Sequence, residues 1–265
     1  MDTLAKGLGE LENLEADGHG GFYVSSMQAR KVYDIDSAGN AEVVLDGTKA
    51  AGLQLHGTTL DIMDVGNGAV KALDMTTGTV TTVGPLAGNG LLRLPDGDLL
   101  TTWVGTEGTP AAGVSRYHRD TGVVQPDWSP VPHGEGLALS PDHTAVFTDD
   151  LFTGQVYRIP VDTPQQWTVV GRLPGLLPGD DDLTSTRSGT LYVAGHIAGE
   201  IDRLDPTTGA TCTVASGISS AYDGPSSVRI GRDGDGWALY VTAFDGTFRR
   251  IRPPAGVDLT PVRVN

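Results

Sequence analysis

The sequence predicts an all-β protein, a six-bladed β-propeller in which residues 1–265 form one domain. Three observations lead to this prediction. Short stretches of alternating apolar and polar residues recur at intervals of about 40–45 residues. Clusters of Asp, Thr, Gly and Pro separate them, and no stretch shows a helical period of comparable length. Strands joined by tight turns therefore account for the whole pattern.

One strand of the repeat can be followed through the whole chain, because it starts at a glycine or a basic residue and ends in a turn. Its six copies are "RKVYDIDSAGN", "GAVKALDMTTG", "GVSRYHRDTG", "GQVYRIPVD", "GEIDRLDPTTG" and "GTFRRIRPP". Another strand precedes each copy, as in "GGFYVSS" and "GTLYVAG", and a further strand follows, as in "AEVVLDG" and "TVTTVGP". With an innermost strand in front, each unit has four strands, as a propeller blade does.

The two ends of the chain differ in how well they fit this scheme. The first residues, "DTLAKGL", look like the outer strand that other blades carry at their end. We expect them to complete the last blade and close the ring, which leaves no open sheet edge. The last residues, "VDLTPVRVN", have no clear place in any blade.

Composition narrows the class of partner. The chain has 18 basic and 33 acidic residues and a net charge of −15, so nucleic acids and anionic membranes would repel it. It has no apolar run of membrane-spanning length and no signal-peptide pattern at its start. The single cysteine, Cys212, excludes an internal disulfide. We therefore expect a cytoplasmic monomer or small homo-oligomer that acts on a small molecule, not on nucleic acid or a membrane.

A glutamate, Glu12, stands eight residues before the turn glycine Gly20. The same count from the first turn of four other blades reaches Asn89, Glu135, Asp181 and Ser226, which follow one another at spacings of 46, 46 and 45 residues. The second blade has a shorter turn, and its equivalent residue is Lys49, Ala50 or Ala51. Because the innermost strands of a propeller line its axial channel, residues at their starts should meet at one mouth.

Three of these residues, Glu12, Glu135 and Asp181, are acids. Carboxylates a few ångströms apart repel one another, and a hard divalent cation between them removes the conflict. An all-oxygen ligand set suits Ca²⁺ best, with Mg²⁺, Mn²⁺ and Zn²⁺ as alternatives. The sequence therefore predicts a cation site with these three ligands. The alternative interpretation is a wide mouth in which the acids are solvated separately.

Loops between the second and third strands of each blade should open at the same mouth. Their most reactive residues are His196 and Glu107, and His133 lies two residues before one of the acids. Trp103 and Phe244 could form an apolar wall. We treat His196 as a candidate catalytic residue and the other four as candidate substrate contacts. For each residue the alternative is an ordinary structural role in a loop or in packing.

Five stretches resemble the gluconolactonase, regucalcin and senescence-marker-protein family. They are "LENLEADGHGGFYVSS", "NGLLRLPDGDLL", "GEGLALSPDHTAVFTDD", "DDDLTSTRSGTLYVAG" and "GPSSVRIGRDGDGWALYVT", and the resemblance covers nearly the whole chain. It implies a six-bladed propeller with calcium or another divalent ion on its axis. Carried over, the family's metal ligands fall on Glu12, Glu135 and Asp181. Its substrate-contacting Asn falls on Asn89.

Two departures from the family pattern bear on chemistry. The family's ligand in blade four is an Asn, whereas this chain has Glu135 and thus one more negative charge. Two residues before Asn89 the sugar-lactone enzymes carry an Arg, and this chain has Ala87. These departures predict a substrate less sugar-like than an aldonic acid lactone.

The leading functional hypothesis is a metal-dependent hydrolase of a lactone or related ester. The cation would polarise the carbonyl oxygen, and Asp181 or Glu135 would take a proton from the attacking water. His196 would serve the leaving group, and Asn89 would orient the substrate. Two alternatives remain. One is a non-hydrolytic propeller enzyme, such as a cyclase, an isomerase or a condensing enzyme of the strictosidine synthase kind, and the other is a non-catalytic binding propeller.

Overall fold

Short antiparallel strands make up nearly all of the regular structure in the computed structural model, which describes residues 1–105, 113–254 and 256–262. The first nine strands are β1 (Asp2–Ala5), β2 (Leu11–Ala16), β3 (Phe22–Ser26), β4 (Lys31–Ile35), β5 (Ala41–Asp46), β6 (Ala50–His56), β7 (Thr59–Asp64), β8 (Ala69–Asp74) and β9 (Val80–Pro85). The next eight are β10 (Leu91–Arg93), β11 (Leu99–Trp103), β12 (Gly113–His118), β13 (Val123–Ser129), β14 (Ala138–Leu139), β15 (Ala145–Asp149), β16 (Gln155–Pro160) and β17 (Thr168–Arg172). The last seven are β18 (Asp180–Ser185), β19 (Leu191–Gly195), β20 (Glu200–Leu204), β21 (Thr211–Ser216), β22 (Pro225–Asp233), β23 (Gly236–Ala243) and β24 (Phe248–Ile251).

These strands form six sheets of four, each built from consecutive strands except at the closure. Blade one has the order β2-β3-β4-β5, and the same order repeats through blade five. The six-bladed propeller predicted from the repeat is confirmed. Within the described residues the helical content is one 3₁₀ turn, Ala221–Asp223, and there is no helix long and apolar enough to cross a membrane.

Blade six contains both ends of the ring, with the order β22-β23-β24-β1. Strand β1 runs antiparallel to β24, with Asp2 opposite Arg250. The Asp2 carboxylate also forms ion pairs of 3.1 Å with Arg250 and 2.9 Å with Arg252. The expected closure by the first residues is therefore present, and β1 covers the edge that β24 would otherwise expose.

The apolar core is divided among the spaces between neighbouring blades. Six clusters of buried apolar side chains in the described residues each join two adjacent blades. Between blades one and six, the Phe22 ring lies 4.5 Å from that of Tyr240 and 5.5 Å from that of Phe248. Burying one such side chain contributes about 1.5–3 kcal/mol. Blade-to-blade packing therefore fixes the angular position of each innermost strand.

The C-terminal segment packs on the first hairpin of blade five. Leu259 is buried, the Arg187 amide donates to the Thr260 carbonyl at 2.7 Å, and Pro261 bridges to Thr186. This segment could not be placed from its sequence, because it lacks the alternation of a blade strand. Its contacts are made by isolated residues along an extended path.

Removing residues 1–5 tests the closure. The deletion exposes the β24 edge and removes the ion pairs of Asp2, so we expect the melting temperature to fall by roughly 5–10 °C. Differential scanning calorimetry measures the shift. The matched control is Val43→Ser, on the exposed outer strand of blade one, which should change the melting temperature by about 1 °C or less. An equal effect of both changes would contradict a closing role for β1.

Candidate metal centre

A β-bulge interrupts the innermost strand where the predicted ligands lie. In β2, Leu11 pairs with Ser26 and Leu14 pairs with Val24, so Glu12 and the residue after it share an irregular stretch. Similar shifts occur at Asp181 in β18, at Ser226 in β22 and next to Ala50 in β6, where Ala51 is equivalent to Glu12. A bulge re-aims the side chains that it carries. In this protein the bulges direct the side chains of Glu12 and Asp181 to the end of the channel.

Blades three and four reach the same geometry just before their innermost strands. The amides of Asn89 and the next glycine donate to the backbone and side-chain oxygens of Thr102, at 2.9 and 3.0 Å. The amides of Glu135 and the next glycine donate in the same way to Asp149, at 3.2 and 2.7 Å. Two consecutive amides thus bind one residue of the neighbouring strand. The side chains of Asn89 and Glu135 face the channel as a result.

Glu12, Glu135 and Asp181 come together in what we call the acid cup. One carboxylate oxygen of each lies within 4.8 Å of the other two, and the residues are only 5%, 7% and 7% exposed. The side-chain nitrogen Nδ2 of Asn89 donates to Glu12 Oε1 at 2.9 Å and also to Glu135 Oε1. Ser226 also lines the small cavity at the cup, and its hydroxyl donates to the Leu11 carbonyl at 2.7 Å. Three acids and one neutral amide therefore form the cup.

Burial makes the charged cup unfavourable without a counterion. It raises the pKa of Glu12 to about 7, although the Asn89 hydrogen bond opposes the shift. Burial and the charge of Glu12 raise the pKa of Glu135 well above its usual range. Burial, followed by the charges of Glu12 and Glu135, raises the pKa of Asp181 in the same way. A cation would relieve this desolvation and repulsion.

The residues of the cup fit a divalent cation. Glu12 Oε2 and Glu135 Oε2 are buried and have no hydrogen-bond partner among the described residues. Calcium binds oxygens at about 2.3–2.6 Å, so two ligand oxygens of one ion lie at most about 5 Å apart. The 4.8 Å limit of the acid cup meets this condition. A cavity of about 10 Å³ lies among these residues, which is close to the space that a single water molecule needs.

Beneath the cup lies a polar layer that sequence analysis missed. Asp182 accepts hydrogen bonds from Asn13 Nδ2 at 3.0 Å, from Arg229 Nη1 at 2.6 Å and from the Ser227 hydroxyl. Asn13, Asp182 and Ser227 each follow a cup position by one residue, and Gly52, Gly90 and Gly136 occupy the same place in the other blades. A polar residue or a glycine thus recurs at this position in every blade, and this recurrence is the signal in the sequence that could have indicated the layer. The layer ties blades one, five and six together below the ligands.

Two more buried acids, Asp149 and Asp180, lie near the cup. Burial raises the pKa of Asp149 to about 7. Asp180 is fully buried, and neither of its carboxylate oxygens has a hydrogen-bond partner among the described residues. Burial, and then the charge of Asp149, raises the pKa of Asp180 well above its usual range. Like the acids of the cup, both therefore favour the protonated form unless a cation lies nearby.

His196 lies against one of the acids. Its Nδ1 is 3.4 Å from Asp181 Oδ2, and burial lowers the pKa of the imidazole, which favours the neutral form. The His196 ring contacts the edge of Phe244 at a centroid distance of 5.7 Å. An acid, an imidazole and an aromatic wall therefore follow one another outward from the cup.

The remaining predicted residues are less closely connected with the cup. His133 Nδ1 is 2.6 Å from the Val104 carbonyl, so it donates there, and its ring meets Phe152 at 5.0 Å. Its backbone has φ 50°, a strained value for a residue with a side chain. Trp103 ends β11, and its buried indole N–H has no partner among the described residues. Glu107 lies outside the described residues.

A larger cavity of about 540 Å³ lies at the opposite end of the channel. The turn residues Gly18 and His56 line it, together with Glu15, Arg93 and Arg229. Size alone does not make it the functional site. The charged groups that line it are mainly basic, and the cluster of acids capable of binding a metal lies at the other mouth.

Comparison with known proteins gives structural matches alone. No family model matches the chain, and no curated protein matches it in sequence. A gluconolactonase from Xanthomonas campestris has a TM-score of 0.76 at 18% identity, with 93% of this chain and 87% of that chain covered. A luciferin-regenerating enzyme has a TM-score of 0.76 at 15% identity, with 98% and 96% covered. The calcium-binding protein regucalcin from Agrobacterium tumefaciens has a TM-score of 0.70 at 18% identity, with 91% and 87% covered.

The similarity shows the propeller fold. Identities of 15–18% do not transfer a substrate or a reaction. The function of this chain has to be argued from its own residues.

The raised pKa of Glu12 predicts a pH dependence of stability. The pKa of this carboxyl group rises from 4.5 to about 7 on folding, so the folded state binds a proton more tightly than the unfolded state. The stability that comes from this proton uptake is therefore lost as the pH rises from about 4.5 to about 7. In EDTA at pH 7.5, the free energy of unfolding of Glu12→Gln should equal that of the unmodified protein or exceed it by up to about 3 kcal/mol. This advantage should shrink towards pH 5.

Urea unfolding at several pH values measures this difference. Glu10→Gln is the matched control, because Glu10 is exposed and lies two residues away on the same segment. An advantage of Glu12→Gln that grows towards acid pH would contradict the sign of the pKa shift.

Proposed function

We propose that the acid cup holds a divalent cation, with Ca²⁺ preferred over Mg²⁺, Mn²⁺ and Zn²⁺, and that the protein is a metal-dependent hydrolase of a lactone or related ester. One observation carries the proposal. Three buried carboxylates from blades one, four and five lie within 4.8 Å of one another. An arrangement without a bound cation would leave buried oxygens of two of these acids unpaired.

A divalent cation in such a site polarises a carbonyl oxygen and stabilises the negative charge that develops on it. The protein's own groups supply the proton transfers. Asp181 is the preferred base, because its carboxylate lies at the mouth beside a second proton acceptor, His196. A proton taken from water at Asp181 Oδ2 can pass to His196 Nδ1 and from the imidazole to the leaving alkoxide. Glu135 is the alternative base.

Asn89 has a positioning role in this proposal. Its amide nitrogen donates to both Glu12 and Glu135, and so keeps two mutually repelling acids at a fixed distance. Both hydrogens of Nδ2 are used in these bonds, so Asn89 can orient a substrate oxygen only after a bound cation draws one of the acids away. The fold shared with a gluconolactonase supports the general reaction class, and the fold shared with regucalcin, a calcium-binding protein, supports the choice of ion.

A non-hydrolytic reaction is the second candidate. Glu135 favours it, because this third carboxylate adds a proton acceptor where the resembling family has a neutral amide. A cyclase or isomerase would use that acceptor on the substrate itself and would not incorporate water into the product.

Metal binding tests the first half of the proposal. We expect isothermal titration with Ca²⁺ to show one site, and Glu12→Gln, Glu135→Gln and Asp181→Asn each to weaken binding by about 30-fold or more, because each removes one charged ligand. Glu10→Gln is the control and should bind as the unmodified protein does. Equal affinity in the three cup variants and the control would refute the site.

Hydrolysis in H₂¹⁸O tests the second half. A panel of lactones and aryl esters should give acid products that carry ¹⁸O, and Asp181→Asn should lower kcat/KM by about 100-fold or more. Exposed Asp142→Asn, in a turn at the far end of blade four, is the control and should retain full activity. Turnover with no ¹⁸O in the product would favour the second candidate. Full turnover by Asp181→Asn would exclude Asp181 as the base.

A further inference from the structure

Apart from Met1 and Val257 near the chain ends, the exposed large apolar residues of the described chain fall into two groups. Five are valines, one on each outer strand of blades one to five: Val43, Val80, Val123, Val169 and Val214. The larger ones lie elsewhere, on loops at the mouth that contains the acid cup. They are Phe152, Leu176, Leu177 and Tyr222, exposed by 41%, 95%, 46% and 90% respectively, and we call them the apolar rim.

Backbone hydrogen bonds connect the loops that carry Leu177 and Tyr222 through the loop of Ile197 and Ala198. The Ala198 amide donates to the Pro178 carbonyl at 3.1 Å, next to Leu177. The Ala221 amide, next to Tyr222, donates to the Ile197 carbonyl at 3.2 Å. These loops therefore lie side by side.

Two contacts connect the rim with the acid cup. Phe152 packs against His133, which lies two residues before Glu135. The amide of His196 donates to the Gly179 carbonyl at 2.8 Å, two residues after Leu177, and the His196 ring lies against Asp181. A molecule whose reacting carbonyl lies in the cup would thus extend over the rim.

The rim is also nearly free of charge. Its three loops read "DLFTG", "LPGLLPG" and "GISSAYDG", with Asp223 and the buried Asp150 as their charged residues, in a chain with a net charge of −15. Without lysine or arginine these loops offer no attraction to an anionic lipid surface. Exposed apolar surface next to a polar centre is typical of a binding site for an amphipathic small molecule.

We infer that the substrate is a neutral lactone or ester with a long apolar chain or ring, and that the apolar rim binds this part. The inference rests on the proposed function for the reacting carbonyl, and on the rim for the remainder of the molecule. Such a substrate is lipophilic, in contrast to the hydroxyl-rich substrate of a sugar lactonase.

Binding of ketones that cannot be hydrolysed tests the inference independently of turnover. Calcium-loaded protein should bind 2-decanone about 30-fold more tightly than 2-butanone by isothermal titration, because about half of the surface of six additional methylene groups would be buried. Phe152→Ser, Leu177→Ser and Tyr222→Ser should each weaken 2-decanone binding by about threefold to tenfold. Val123→Ser and Val169→Ser remove exposed apolar residues away from the mouth and should have no effect.

Three outcomes would overturn the inference. These are equal affinity for the two ketones, equal effects of the rim and valine variants, and binding to neutral phosphatidylcholine vesicles without binding of 2-decanone. If 2-decanone binds as expected and no lactone or ester is hydrolysed, the rim is a lipophilic site and the proposed reaction is wrong. If hydrolysis occurs and chain length has no effect, the proposed reaction stands and the inference about the substrate fails.

Discussion

The repulsion among buried carboxylates is the constraint on which the rest of this structure depends. Glu12, Glu135 and Asp181 are far apart in the chain, and ring closure brings them within 4.8 Å of one another. Burial alone raises the pKa of each acid, and their mutual repulsion adds to the effect at Glu135 and Asp181. The fold must therefore hold like charges together against their electrostatic preference. A site of this kind has a clear physical use when a cation occupies it.

Several features of the fold provide that restraint. The bulges at Glu12 and Asp181 aim the side chains inward, and the hydrogen bonds of Asp182 hold the strands directly beneath them. Arg229 pairs with Asp182 at 2.6 Å, and the charge of Asp182 still contributes to the raised pKa of each cup acid. Apolar clusters between the blades and the closing strand β1 set the radial positions of all the strands. Local geometry and ring closure thus act on the same three acids.

The sequence predicted the features of the fold that repeat in every blade, but not those that occur at single positions. Alternation and turn residues repeat six times, so the number of blades, the closing strand and the convergence of Glu12 with Asp181 could be inferred from counting. The bulges could not, because they arise from pairing between strands. The role of Asp182 could not be inferred either, because its hydrogen bonds to residues of blades one and six form only when the ring is assembled. The C-terminal segment has no repeat, so its packing against Thr186 had no signal in the sequence.

The most direct test of this account is a crystal structure of the protein grown with Tb³⁺, a calcium substitute whose anomalous scattering locates the ion. The account predicts one strong peak on the channel axis, within about 2.6 Å of carboxylate oxygens of Glu12, Glu135 and Asp181. An empty cup at saturating Tb³⁺, or carboxylates that turn away from one another, would contradict it.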